Sequence, residues 1–392
     1  MPDSRTISAA DQSRHRGLLG RFAPAIIAIC LLLDISLRFV PPRFFAFRAW
    51  EAMHRLGPGK GPFLANASYR NPRAYGDLAN IANLPQNRQF HEEEFHTDGA
   101  GYRNRQTPAR PFRGILLVGD SFAAGAGVPD EQSLGEQISK ATGLAVYNAA
   151  GAYNVAKLVT ELEMEQGLVI WQQSERTAIP LPSVPRARGA KRTWRGRIQE
   201  LKQQATFRYS GYWHYSPLGI VFGRPVRLLQ NDRVLPNPSR GSVFVAKLQN
   251  WREMLFAWPE VANYDRDRPA PAEYFVRLNG RLEQKGLRLL VLLVPDKYVV
   301  YHDLIVPAQR PADRMPYFSI VEQHMADADV PVLNLVPLFR KRAAELLPGD
   351  DYLYWLDDSH WNARGIHEAA EAIAEKIGLS AGSATSTRTP ER

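Results

Sequence analysis

Gly114-Ile115-Leu116-Leu117-Val118-Gly119-Asp120-Ser121-Phe122 is the stretch that decides the fold. Its apolar run is too short for a stable helix and is bounded by glycine on both sides. It predicts a strand over 115–118 buried on both faces. Gly119 and Asp120 then break the strand and leave a serine at its carboxyl end. The same unit recurs outward from here. A predicted helix over 133–142 leads to a strand over 144–147 that ends at Asn148-Ala149-Ala150-Gly151. A helix from 155 to 165 and a strand over 168–171 follow. Further on, 273–285 reads as an amphipathic helix stopped by Gly286, and Leu287–Val294 as a central strand. A helix over 317–326, a strand over 330–335 and a helix over 362–377, stopped by Gly378, complete the pattern.

Strands alternating with helices predict an α/β domain with a central parallel sheet covered on both faces. Ligands of such sheets collect at the carboxyl ends of the strands. Ser121, Gly151, Gln173, Lys297 and Asn334 all fall there, so one crevice is expected to gather them.

A second cluster, Asp357-Asp358-Ser359-His360-Trp361-Asn362, precedes the last helix. A serine hydroxyl becomes a useful nucleophile when an adjacent base takes its proton. His360 titrates in the right range to be that base, and a carboxylate on its other nitrogen would fix the tautomer. Asp357, three residues before His360, is the favoured partner; Asp358 competes and is expected to cap or solvate the loop. The oxyanion calls for preorganised N–H donors, and the amides of Ser121 and Gly151 are the candidates.

With these residues in hand, the chain resembles the SGNH (GDSL-type) hydrolase superfamily over about residues 107–378. Gly119-Asp120-Ser121 looks like its first block, Gly151 its second and Asp357-x-x-His360 its last. Gly119-Asp120-Ser121-Phe122, Val294-Pro295-Asp296-Lys297-Tyr298-Val299-Val300-Tyr301 and His360-Trp361-Asn362 are most similar to the branch related to alginate O-acetyltransferases. So is the lead-in Phe95-His96-Thr97-Asp98 with Gly101-Tyr102-Arg103-Asn104. The resemblance implies a flavodoxin-like three-layer sandwich, an acyl-serine intermediate, and no cofactor or metal. It implies an exported polysaccharide or glycan as acceptor and a membrane-bound O-acyltransferase as acetyl donor. The superfamily's third block carries an asparagine that this chain lacks; Gln173 or Arg176, each able to donate hydrogen bonds, is expected to replace it. Lys297, Trp361 and Asn148 are candidate substrate contacts, with a structural salt bridge as the competing role for Lys297.

Composition bounds the rest. The 392 residues carry a net charge of +9, which suits anionic glycans or membrane surfaces, and no nucleic-acid motif is present. Cys30 is the one cysteine, so no internal disulfide exists. Arg14, Arg16 and Arg21 precede an apolar stretch from Phe22 to Leu33. Basic-then-apolar order predicts a signal anchor over 22–40, a cytoplasmic segment before it and a periplasmic domain after it. That apolar stretch falls short of the ~20 residues of a full span, so a buried soluble helix is the alternative. Residues 41–106 read as a linker and lead-in. Within them His91-Glu92-Glu93-Glu94-Phe95-His96 has its histidines five apart rather than the four a zinc-protease helix needs, and reads as solvated. Residues 177–271 interrupt the alternation as an insert. It carries a basic run from Arg186 to Lys202, then the aromatics Phe207, Tyr209, Tyr212, Trp213 and Tyr215. That combination suits an anionic or sugar polymer, although charge runs are more often solvated faces. The tail 379–392 is small, polar and expected to be disordered. Three functions compete: an envelope O-acyltransferase, an esterase on the same scaffold, and a non-catalytic glycan-binding protein.

Overall fold

The structure is a computed structural model that describes residues 9–40, 44, 46, 48–55, 59–152, 154–177, 179, 216–230, 234–235, 242–264, 268–309 and 316–378. The basic run and the aromatics at 207–215 lie outside the described residues, as does the tail.

Ten strands are named in chain order: β1 (Ser68–Ala74), β2 (His91–His96), β3 (Gly114–Val118), β4 (Val146–Asn148), β5 (Gly167–Ser174), β6 (Val234–Leu235), β7 (Val243–Lys247), β8 (Glu253–Ala257), β9 (Leu287–Val294) and β10 (Val332–Asn334). The central sheet has five parallel strands in the order β10-β9-β5-β3-β4. Numbered within the sheet alone this is the 2-1-3-4-5 order of flavodoxin-like folds, as expected. Its switch point lies between β3 and β5, where a crevice opens at the carboxyl ends. Ser121 stands at the end of β3, beside that point.

β9 shows why the sheet forms. Leu287 and 289–294 are buried and Arg288 alone is exposed. Each such leucine or valine contributes about 1.5–3 kcal/mol by leaving water. The run must therefore be central, and it pairs with β5 over its whole length from Gly167↔Leu287 to Ser174↔Val294. Helix Leu134–Thr142 packs against the last helix, Ala363–Lys376.

The lead-in departs from expectation. His91–His96 is strand β2, paired antiparallel with β1. Its alternation sends Glu93 and Phe95 inward, where both are buried. The strand reading was available from period two; the three glutamates concealed it. Pro72 falls where the β1–β2 register shifts, at a bulge that tolerates a missing N–H. The insert departs too: β7 and β8 form a hairpin whose Phe244, Met254 and Phe256 join the main core.

Ala9–Leu37 is one helix. From Phe22 to Leu33 its side chains are exposed, Cys30 less so. Asp34 is buried and accepts from the amide of Leu218, at the start of helix Pro217–Gln230. No helix among the described residues is long and apolar enough to cross a membrane.

Candidate active site

Ser121 opens a four-residue helical turn, Ser121–Ala124, directly after β3. Asp120 caps that turn, with Oδ1 accepting from the amide of Phe122 at 3.0 Å. Its Oδ2 accepts from the hydroxyls of Ser174 and Thr177 at the end of β5, and its amide donates to Gln172 Oε1 at 3.0 Å. The Ser121 turn is thereby bolted to the neighbouring strand.

Ser121 Oγ lies 2.8 Å from His360 Nε2. The expectation of Asp357 on the other ring nitrogen is corrected: His360 Nδ1 meets Asp358 Oδ1 at 2.7 Å. The same Asp358 oxygen accepts from the His360 amide at 2.8 Å, a turn closed two residues back rather than three. Asp357 points the other way. Its Oδ2 accepts from the amides of Gly76 and Gln89, both at 2.8 Å, and its Oδ1 is buried without a hydrogen-bond partner among the described residues.

Electrostatics separate the two carboxyls. Burial works against the charge of Asp358, but the hydrogen bond and charge of His360, helped by Arg48 and the Asp77 amide, hold its pKa well below the carboxylate range. Burial pushes Asp357 up to about 6, against its bonds from the Gln89 and Gly76 amides.

The loop that carries this pair is gripped by the segment 76–79, which sequence reasoning missed. Asp77 N donates to Asp358 Oδ2 at 2.7 Å, and the amides of Leu78 and Ala79 donate to the Asp357 carbonyl at 3.1 Å. Asp77 in return accepts from the Ser359 amide and hydroxyl, both at 2.8 Å, and pairs with Arg48 at 3.5 Å. Gly76 is obligatory: a Cβ there would sit 2.0 Å from the Asp357 carbonyl oxygen. Asp77, Asp358 and His360 bring ligand-type atoms within 4.8 Å of one another. These atoms are already engaged in the hydrogen bonds just described.

The other candidates fall into place as follows. The Ser121 amide is first in its turn and has no intrahelical acceptor, so it can face an oxyanion. Gly151 lines the pocket beside Ser121 with φ +83°, but its amide is spent on the Gly119 carbonyl at 2.7 Å. Gln173 Nε2 donates to the carbonyls of Ser174 and Thr177. Adjacent strand residues face opposite ways, and Gln172 is the one that reaches the Gly119–Asp120 turn; its Nε2 is buried without a partner among the described residues. Arg176 supports the loop: it donates to the Ser359 hydroxyl at 2.9 Å and carbonyl at 2.7 Å. It also pairs with Glu260 and Asp296, both at 2.9 Å, and lies 4.9 Å over the Phe122 ring. Burial raises Glu260 to about 8, relieved by Arg176.

Lys297 is fully buried and donates to the carbonyls of Leu255, Leu356 and Asp358. Burial lowers its pKa to about 8. Fully buried, Lys297 ties β8 to the loop at 356–358 by carbonyl bonds, neither a salt bridge nor a substrate contact. Trp361 is fully buried in the core against Phe122, with ring centroids 5.4 Å apart. Asn148 Nδ2 donates to the Ala123 carbonyl at 2.7 Å and its Oδ1 accepts from Ala150 N, so it shapes the turn behind Ser121. Asn334 serves β10, bonding Glu322 and the Val336 amide.

Ser121, His360 and Asp358 therefore form a proton-transfer chain fit for acyl transfer through a seryl ester. No curated protein matches this chain. Residues 255–391, roughly a third of the chain and the part that carries Asp358 and His360, match the family described as SGNH hydrolase-like domain, acetyltransferase AlgX.

Proposed function

We propose that this chain is a serine O-acyltransferase of the cell envelope that acylates hydroxyls of an exported polysaccharide or glycan. The observation that carries the reading is the continuous chain from Ser121 Oγ through His360 to Asp358, at 2.8 and 2.7 Å. In the first half-reaction Oγ bonds to the acyl carbon of a donor ester. The bond to the donor's oxygen breaks, and the Oγ proton passes through His360 Nε2 to that leaving oxygen. In the second half a sugar hydroxyl repeats the attack: its proton goes to His360, and then to Ser121 Oγ as the acyl bond moves. Asp358 stabilises the imidazolium in both halves. The Ser121 amide faces the developing oxyanion.

The acyl group proposed from the family likeness is acetyl, and a membrane-bound O-acyltransferase is the proposed donor. Membrane attachment through 22–40, with the folded domain in the periplasm, completes the proposal. It is supported by the basic residues before Phe22 and by the apolar, exposed flank from Ile26 to Leu33.

The test is the purified protein with a chromogenic acetyl ester, with and without oligosaccharide. Ester cleavage lost in Ser121→Ala and His360→Ala, with acetylated oligosaccharide among the products, is the expected result. Cleavage with acetate as the sole product would establish an esterase instead. Glycan binding by a wild type as inert as Ser121→Ala would leave a binding protein.

A further inference from the structure

Ser121 lines a cavity of about 200 Å³ whose lining does not include His360. Its floor is Asp120, Ser121 and Gly151, and its walls are mainly Trp50, Pro62, Phe63, Phe95, Ala126 and Ala150. Phe63 and Phe95 meet edge to face, with centroids 4.9 Å apart. Glu93 and His54 are the other polar members of the lining. The Glu93 carboxylate is held by the amides of Ala49 at 3.2 Å and Gly127 at 3.4 Å.

We propose that this cavity is the acyl chamber of the Ser121 site and that it takes acyl groups longer than acetyl, with butyryl to hexanoyl chains filling it. The proposal rests on the acyl-transfer reading above and deepens it. Size is the first argument. A cavity of about 150 Å³ accommodates benzene, with six heavy atoms; an acetyl group brings only three. Polarity is the second. A sugar ring placed there would have only Asp120, Ser121, Glu93 and His54 to replace its hydrogen bonds to water, whereas an alkyl chain gains by leaving water against Trp50, Phe63, Phe95 and the alanines. Position is the third. The cavity begins at the nucleophile itself, where the acyl carbon must sit. None of its lining residues falls within 255–391, so the acetyl group proposed above from that likeness is not set by the cavity; the chamber revises it to a longer chain and leaves the transfer reaction as it stands.

The experiment is a series of p-nitrophenyl esters, from acetate to octanoate, with the full chain. Each methylene that enters the cavity is expected to raise kcat/KM up to about fourfold. Butyrate should then exceed acetate by roughly tenfold, with a fall beyond hexanoate. Ala126→Leu, which narrows the chamber, is expected to cut the butyrate-to-acetate ratio at least about fivefold. Acetate as the fastest ester in wild type, or a ratio unmoved in Ala126→Leu, overturns the chamber while leaving the acyl-transfer reading intact. Wild type no faster than Ser121→Ala on every ester overturns the acyl-transfer reading itself, and the chamber with it.

Discussion

One oxygen of Asp358 holds both Nδ1 and the main-chain amide of His360, at 2.7 and 2.8 Å. The imidazole is thus fixed in orientation and tautomer by a side chain only two residues away. An asparagine there can turn its amide nitrogen towards Nδ1 and reverse the tautomer. Asp358→Asn is expected to lower kcat on the order of 10⁴-fold, and Asp357→Asn by less than about tenfold. Steady-state ester hydrolysis of the two variants decides between them; a larger loss in Asp357→Asn would restore Asp357 as the partner of His360.

Asp357 also sets a pH dependence. Burial raises it to about 6 from an ordinary value of 3.8. The folded chain therefore binds this proton more tightly than the unfolded chain does. Its contribution to stability is complete below the ordinary value and lost as pH rises through about 6. Asp357→Asn keeps an oxygen for the Gly76 and Gln89 amides and removes the charge. Above that pH the variant is expected to gain up to about 3 kcal/mol relative to wild type, with the gain vanishing in acid. Asp358 has the opposite sign: its depressed pKa stabilises the fold above the ordinary range and that contribution is lost on acidification. Urea midpoints measured across acid to neutral pH read both effects.

Arg176 neutralises two buried carboxyls at once. Arg176→Met leaves Glu260 and Asp296 without their cation, and a loss of about 3–5 kcal/mol is expected. Adding Glu260→Gln removes part of that uncompensated charge, so the double variant should be more stable than Arg176→Met alone. Guanidinium denaturation of the pair of variants provides the measurement. Equal stability would mean that Asp296 alone sets the need for the arginine.

Gly76→Ala tests the grip on the catalytic loop. The added methyl overlaps the Asp357 carbonyl and must displace the loop that carries His360. A displacement of about 1 Å can cost on the order of 10²-fold in rate. The expected signature is a fall in kcat with little change in KM.

The proposed anchor is tested on the full chain. Ile26, Ile29 and Leu33 are exposed and apolar; replacing all three by aspartate should abolish co-flotation with anionic vesicles while ester hydrolysis in solution persists. Flotation unchanged in the triple variant would place membrane contact elsewhere.

Much of the sheet could be read directly, because β9 and β3 are aliphatic runs that have nowhere to go but a buried parallel core. The serine and histidine were legible for a related reason: each sits where a strand or loop hands over to a helix. The choice between Asp357 and Asp358 was not. It depends on amides contributed by Gly76 and Asp77, distant in sequence from the loop they bind. Gln173 was chosen over its neighbour against strand parity: Gln172 and Gln173 look alike in sequence, and only the pairing of β5 with β3 says which one reaches the Gly119–Asp120 turn. The strand at 91–96 hid behind its charges, since Glu93 is buried against the usual expectation for glutamate.

The grip of 76–79 on 357–359 has a consequence for the order of events during synthesis. Ser121 emerges early, but His360 follows it by 239 residues and is held in place by a segment made long before. Until both ends have met, the serine is an ordinary alcohol without a proton acceptor. A polypeptide in which 357–360 has not yet docked on 76–79 therefore leaves Ser121 without that acceptor.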